Sequence, residues 1–184
     1  MIMIKEFALL LFLIFFTAGC YGTITGTVVD AETGKPMEGA VVLVEWTKTK
    51  GMGLTYTESY KVIEVVTDKD GKATISGVFN PLVDPPDVTV YKKGYVAWNN
   101  QYIFPTYKKR KDFKWQNDYV VRLERLERFK KFGFEEHESF IYGAAHPERE
   151  TEKKKLFIKE YNEWEKEEVI KERAKRGKFG EDVN

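Results

Sequence analysis

The sequence predicts a mainly β fold: an antiparallel β-sandwich of about seven strands, followed by a charged α-helical C-terminal extension. Two observations predict it. From Tyr21 to about Leu126, short runs rich in Val, Ile, Thr and aromatic residues alternate with Gly, Pro and Asp clusters, and no helix-length apolar period interrupts them. After Leu126 the sequence becomes charge-dense, with apolar residues at helical spacing.

The first element is a leader. Lys5 precedes an apolar run, residues 7–16, which gives way to Thr17-Ala18-Gly19-Cys20. A charged start, a short apolar centre and small residues before a cut mark an export signal. The run is about ten residues long, whereas a membrane-spanning helix needs about twenty. Residues 1–19 therefore read as a signal peptide. Strand runs follow at 23–29, 40–46, 60–67, 73–78, 88–91 and 119–123. Turn clusters separate them: Glu32-Thr33-Gly34-Lys35-Pro36, Asp68-Lys69-Asp70-Gly71, and residues 80–87. Gly34 and Gly71 supply positive φ for tight turns, and Pro36 fixes the approach to the next strand.

The sandwich is bounded at 20–126, with an insertion at 97–118 and a charged helical tail at 127–184. In the tail, 134–145 reads as a short helix. A longer one is expected from Glu148 to about Arg176, with Pro147 in its first turn, where a missing N–H costs nothing. Phe157, Tyr161 and Trp164 follow an i, i+4, i+7 stripe on it, and Gly177 and Gly180 are its expected stops. The sequence leaves open whether this tail packs on the sandwich or extends from it.

Hydrophobic residues are 42% and charged residues 32% of the chain, enough for a core and a solvated surface. Lys and Arg number 30 against 29 Asp and Glu, a net charge of +1. Such balance gives no global argument for a nucleic-acid partner. Cys20 is the only cysteine, so the sandwich has to stand on packing without an internal disulfide.

Three segments carry a family resemblance. The first runs from Gly26-Thr27-Val28-Val29-Asp30 through Gly34-Lys35-Pro36 to Gly39-Ala40-Val41-Val42-Leu43-Val44. The second is Thr67-Asp68-Lys69-Asp70-Gly71-Lys72-Ala73-Thr74-Ile75, ending at Gly77, and the third is Val88-Thr89-Val90-Tyr91-Lys92-Lys93-Gly94-Tyr95. In this order they resemble the carboxypeptidase regulatory-like domain, which implies a transthyretin-like (prealbumin-like) sandwich used as an accessory or scaffolding module. The leader resembles a bacterial lipoprotein signal, although Thr17 stands where an aliphatic residue is usual. That resemblance implies cleavage before Cys20, a diacylglyceryl group on its thiol and acylation, such as by palmitate, of the new amino terminus. Tyr21 stands where some bacteria place an inner-membrane retention Asp, so the expected location is the cell envelope, at the outer membrane. An ordinary secretory signal with an incidental cysteine is the alternative.

Few residues carry a catalytic signature. His137 and His146 are the only histidines, and His137-Glu138-Ser139-Phe140-Ile141 lacks the second histidine of a zinc helix. Solvated or helix-capping histidines are the expectation, with a tail metal site as a distant alternative. Asp68 and Asp70 open a motif like a calcium loop, but Phe79 stands at the twelfth position, so a hairpin turn is expected. There is no Gly-x-Ser-x-Gly elbow and no Gly-rich phosphate loop. A non-enzyme without a cofactor is expected.

The candidate binding residues lie in the insertion: Trp98, Tyr102, Tyr107, Lys108, Lys109, Arg110 and Trp115, with Phe104 and Phe113 among them. Aromatic faces stack on sugars, and adjacent cations pair with acidic groups. A glycan or an acidic protein surface would suit them. Packing of the insertion and tail onto the sandwich is the competing reading. The function expected is a non-catalytic, lipid-anchored envelope protein for binding, scaffolding or assembly, partnered by the membrane and by an envelope protein or cell-surface glycan. A carbohydrate-binding module is the alternative.

Overall fold

A computed structural model describes residues 22–181 except 53, 130, 148 and 164; the leader, Cys20, Tyr21 and Trp164 lie outside the described residues. The strands are β1 Ile24–Asp30, β2 Val41–Lys50, β3 Tyr56–Val66, β4 Lys72–Ile75, β5 Asp87–Tyr91, β6 Trp98–Asn99, β7 Tyr102–Ile103, β8 Lys108–Lys109 and β9 Tyr119–Leu123. The helices are α1 Gly133–Ala145, α2 Lys155–Asn162 and α3 Glu165–Glu181. Two sheets face each other, one ordered β4-β1-β9 and the other β3-β2-β5-β6, while β7 and β8 form a separate hairpin. The expected sandwich is therefore present, with seven strands in its two layers. One pairing departs from the antiparallel expectation: β9 runs parallel to β1. The two strands are joined by the whole of residues 31–118, which supplies the crossover that parallel neighbours need.

β2 organises both sides of the fold. Val42, Val44 and Trp46 face the other sheet and join Ile24, Val28, Ile75 and Leu123 in the sandwich core. Val41 and Leu43 point the opposite way and join Tyr91, Phe140, Ile141, Phe157 and Tyr161 in a second core under the helices. The apolar run of residues 40–44 is uninterrupted because both faces of the strand are covered. The tail therefore packs on the sandwich.

Turn chemistry follows the sequence. Asp68 Oδ1 accepts hydrogen bonds from the Asp70 and Lys72 amides at 2.9 and 2.8 Å, which makes this segment a hairpin turn. Gly71 has φ +70°, and a Cβ there would lie 2.4 Å from the Val28 carbonyl oxygen. At the end of β1, Asp30 Oδ1 accepts from the Glu32 and Thr33 amides, each at 2.9 Å. Its Oδ2 accepts from the Tyr95 hydroxyl at 2.9 Å and from Arg125 at 3.0 Å. The Thr33 amide, helped by the Tyr95 hydroxyl and the Glu32 amide and opposed by burial, lowers the Asp30 carboxyl to about 2.

The tail differs from expectation after α1. The single helix from Glu148 is replaced by a 3₁₀ turn, Thr151–Lys153, and then by α2 and α3. His146 adopts the left-handed conformation (φ 43°) and closes α1. Glu150 is also left-handed (φ 54°), so Pro147 opens no helix. The chain is drawn down here to bury Lys154, whose Nζ lies 2.8 Å from Glu45 Oε2, 2.9 Å from the Ala145 carbonyl oxygen and 3.1 Å from that of His146. Phe157 and Tyr161 are buried as their spacing suggests. At the far end α3 runs to Glu181, past both glycines expected to stop it.

The helices take their caps from outside themselves. Glu172 of α3 accepts from the Phe134 and Glu135 amides at 3.1 and 3.2 Å, at the start of α1. Glu64 of β3 accepts from the Leu156 and Phe157 amides at 2.9 and 2.8 Å, at the start of α2. A carboxylate at a helix start and the Lys154 ammonium at the end of α1 both oppose the local dipole charge. Among the described residues no helix is long and apolar enough to cross a membrane.

Two outcomes are expected. Glu45→Leu leaves the Lys154 ammonium buried without its counter-charge; urea unfolding should show a loss of about 3–5 kcal/mol, with sandwich and tail still unfolding in one transition. The Asp30 contribution should be present above its unfolded value of 3.8 and lost as pH falls toward about 2. It amounts to about 2 kcal/mol, and Asp30→Asn should flatten the stability profile between those pH values in acid titration followed by circular dichroism.

Candidate functional site

The candidate residues of the insertion divide into three groups. Trp98 and Trp115 belong to the sandwich. Trp98 is β6 itself, so the insertion in space begins after Asn99. Its indole is 7% exposed, contacts the Phe113 ring edge-on at 5.6 Å and lies 5.9 Å from Tyr119. Trp115 meets Trp46 edge-on at 5.9 Å. Together Trp98, Phe113 and Trp115 close the open side of the sandwich between β6 and β9.

Tyr102, Phe104 and Tyr107 form the second group, under the tail. Phe104 is buried and contacts Phe129, Phe132, His137 and Phe140 at 5.1–6.0 Å. Tyr107, in the left-handed region with φ 54°, packs on Phe140 at 5.5 Å while remaining 49% exposed. The hairpin of β7 and β8 thereby rests on α1.

The third group is basic. Lys108 and Lys109 are exposed on β8. Arg110 lies over the Trp98 ring at 4.7 Å, donates from Nε to the Asn99 carbonyl at 2.8 Å and pairs with Asp112 at 3.4 Å. Its guanidinium is held, whereas the two lysines are presented to solvent.

A cleft of about 430 Å³ separates the hairpin from β9; Ile103, Arg110, Asp112, Tyr119, Arg122 and Glu124 line it. It combines aromatic wall, two cations and two carboxylates. Sequence reasoning missed β9's part in it, since no candidate residue was drawn from the strand run at 119–123 or from Glu124 after it.

The tail histidines stand elsewhere. His137 is fully buried, correcting the expectation of a solvated or capping residue, and its Nε2 accepts from the Ala97 amide at 2.8 Å. That nitrogen is engaged in joining α1 to the sandwich. His146 terminates α1 and gives its carbonyl to Lys154. Among the described residues no group of three His, Cys, Asp or Glu side chains could hold a metal ion.

One further acid is perturbed. Burial pushes the Asp87 carboxyl up to about 6, with the nearby Glu45 reinforcing the shift and the hydrogen bond from Gln101, Arg149 and Lys154 opposing it. It lines a polar pocket of about 180 Å³ with Asn99, Gln101 and His146. This group stabilises the fold at low pH and loses that contribution as pH rises from 3.8 through about 6.

The family model of the carboxypeptidase regulatory-like domain matches residues 23–114. No curated protein matches the chain. Two solved structures are similar in part. A group B streptococcus pilus 2b backbone protein is 15% identical with a TM-score of 0.32, over 56% of this chain and 41% of that one. A streptococcal ancillary pilin is 16% identical with a TM-score of 0.29, over 56% of this chain and 29% of that one. The chain thus spans less than half the length of either.

The packing roles can be measured. Trp98→Ala should cost about 3–5 kcal/mol, as buried Trp truncations do, and lower the melting temperature. Lys108→Ala and Lys109→Ala should stay within about 0.5 kcal/mol of the parent in the same calorimetric scans.

Proposed function

We propose, for a chain that belongs to the carboxypeptidase regulatory-like domain family, a non-catalytic role: a lipid-anchored envelope protein that binds or scaffolds other envelope components. The observation that carries this reading is how the chemistry-bearing residues are engaged. His137 is bonded to a backbone amide, Asp68 and Asp70 form a hairpin turn, and Trp98, Phe104 and Phe113 are packed. What the protein offers outward is a rigid body with a basic hairpin and a cleft. Rigid scaffolds presenting loops are the usual form of binding modules. Anchoring through Cys20 and delivery to the outer membrane follow from the lipoprotein-like leader.

The contact surface in this reading is the β7–β8 hairpin, where Lys108 and Lys109 are exposed and Tyr107, packed on Phe140, keeps half of its surface outward. An acidic protein surface is its complement. A second reading, carbohydrate binding, is favoured by the adjacent cleft, where Tyr119 stands beside Arg110, Asp112, Arg122 and Glu124. Such mixed aromatic and hydrogen-bonding walls suit a sugar ring.

In-cell crosslinking and capture should separate these readings, using the tagged full-length protein and a Lys108→Glu/Lys109→Glu variant. Cutting the chain after Leu126 would strip the second core, so a surface variant is the cleaner comparison. A specific envelope protein captured by the parent and lost in the variant is the expected result. Retention of cell-wall or capsular polysaccharide by both, without a protein, would move the assignment to the cleft. Identical, non-specific capture by both would overturn the binding role.

A further inference from the structure

One pole of the sandwich gathers the most exposed large apolar side chains among the described residues. Met52 and Leu54, at the tip between β2 and β3, are 103% and 93% exposed, and Tyr56 follows at 61%. Phe79 and Leu82, in the loop between β4 and β5, are 82% and 79% exposed. The two tips are neighbours. The Asp84 amide donates to the Thr47 carbonyl at 2.9 Å, and Thr49 Oγ1 donates to the Asp84 carboxylate at 3.2 Å. Behind the tips stands a polar band: the Lys48 ammonium lies 3.9 Å from the centre of the Tyr60 ring, and Lys50 pairs with Glu58.

The amino-terminal part of the chain leaves from this same pole. Ile24, the first residue of β1, pairs with Ile75, the last of β4, just before the Phe79 loop. Trp115, seated against Trp46, donates from Nε1 to the Gly22 carbonyl at 3.4 Å. The turns after Asp30 and Asp68 mark the opposite pole.

We propose that this pole is seated in a lipid bilayer, with Met52, Leu54, Phe79 and Leu82 below the headgroups and Lys48, Lys50 and Tyr60 at headgroup level. Apolar tips backed by lysine and tyrosine reproduce the layering of a membrane interface. The proposal rests on the anchoring reading above, which supplies the geometry. Cys20 is four residues from Ile24, so an extended chain reaches at most about 14 Å. A lipid on Cys20 therefore forces this pole, and not the other, against the membrane. The acyl chains hold the protein there; the four side chains fix its tilt and stop it swinging about the tether.

The test uses the full-length chain, produced with its own leader and reconstituted in vesicles of phosphatidylethanolamine and phosphatidylglycerol. An environment-sensitive fluorophore is placed at Met52→Cys, at Leu82→Cys and, as the opposite-pole control, at Lys35→Cys; all three positions are exposed. Quenching by doxyl-labelled lipid should be roughly threefold or more stronger at 52 and 82 than at 35, with blue-shifted emission. Water-like emission at all three positions overturns the proposal, as does blue-shifted emission at 52 and 82 without lipid quenching, which would mean a protein covers the tips. Mass spectrometry of Cys20 reads the anchor separately. Acylated Cys20 with water-like labels rejects the docking pole and keeps the anchor; unmodified Cys20, with labels at 52 and 82 still lipid-quenched in a Cys20→Ser background, rejects the anchor and keeps the pole.

Discussion

The Lys154–Glu45 pair is the constraint on which the arrangement of the two layers depends. A lysine with no exposed surface, bonded to a carboxylate on β2 and to two carbonyls at the end of α1, ties three segments at one point. Such a pair adds little net stability, because desolvation offsets most of its attraction. Its effect is on position. An ammonium buried anywhere else would lack its counter-charge, so the chain after α1 has one way to lie against the sheet. The left-handed residues His146 and Glu150 are the backbone's response to that requirement.

The same logic extends over the rest of the tail. α1 and α2 have no side-chain cap of their own at their starts, and each takes a carboxylate from elsewhere, Glu172 in one case and Glu64 in the other. Helices of this length are marginal in water without packing. Here the apolar stripe, the borrowed caps and the buried lysine all require the sheet to be in place. The insertion plays the matching part on the other side, where Phe113 and Trp115 join Trp98 of β6 to complete a sandwich whose edges would otherwise be open.

Much of the β architecture was legible because its signals are local. Alternation and turn residues such as Gly34, Gly71 and Asp68 act over a few positions, and the strands fell where those residues put them. The tail was less legible because its boundaries are set at long range. Nothing near Lys154 in sequence announces that its partner is Glu45, and Pro147 looks like a helix start until His146 is seen to turn the chain. The insertion failed in a similar way: Trp98 and Tyr107 carry the composition of a binding loop, while their contacts with Tyr119 and Phe140 arise only when distant segments meet. The parallel pairing of β1 with β9 is likewise invisible to any local pattern.

The shared wall formed by β2 has a kinetic consequence. Glu45 and Lys154 are 109 positions apart, and contacts of such separation form late. A chain that appears amino terminus first presents Val41, Leu43 and Tyr91 before the residues that cover them exist. Without α1 and α2 the sandwich would expose these side chains on its outer sheet face, and apolar surface of that kind promotes aggregation or chaperone binding. Completion of the second core therefore falls to the helical tail, and damage to the tail would be felt first as lost yield.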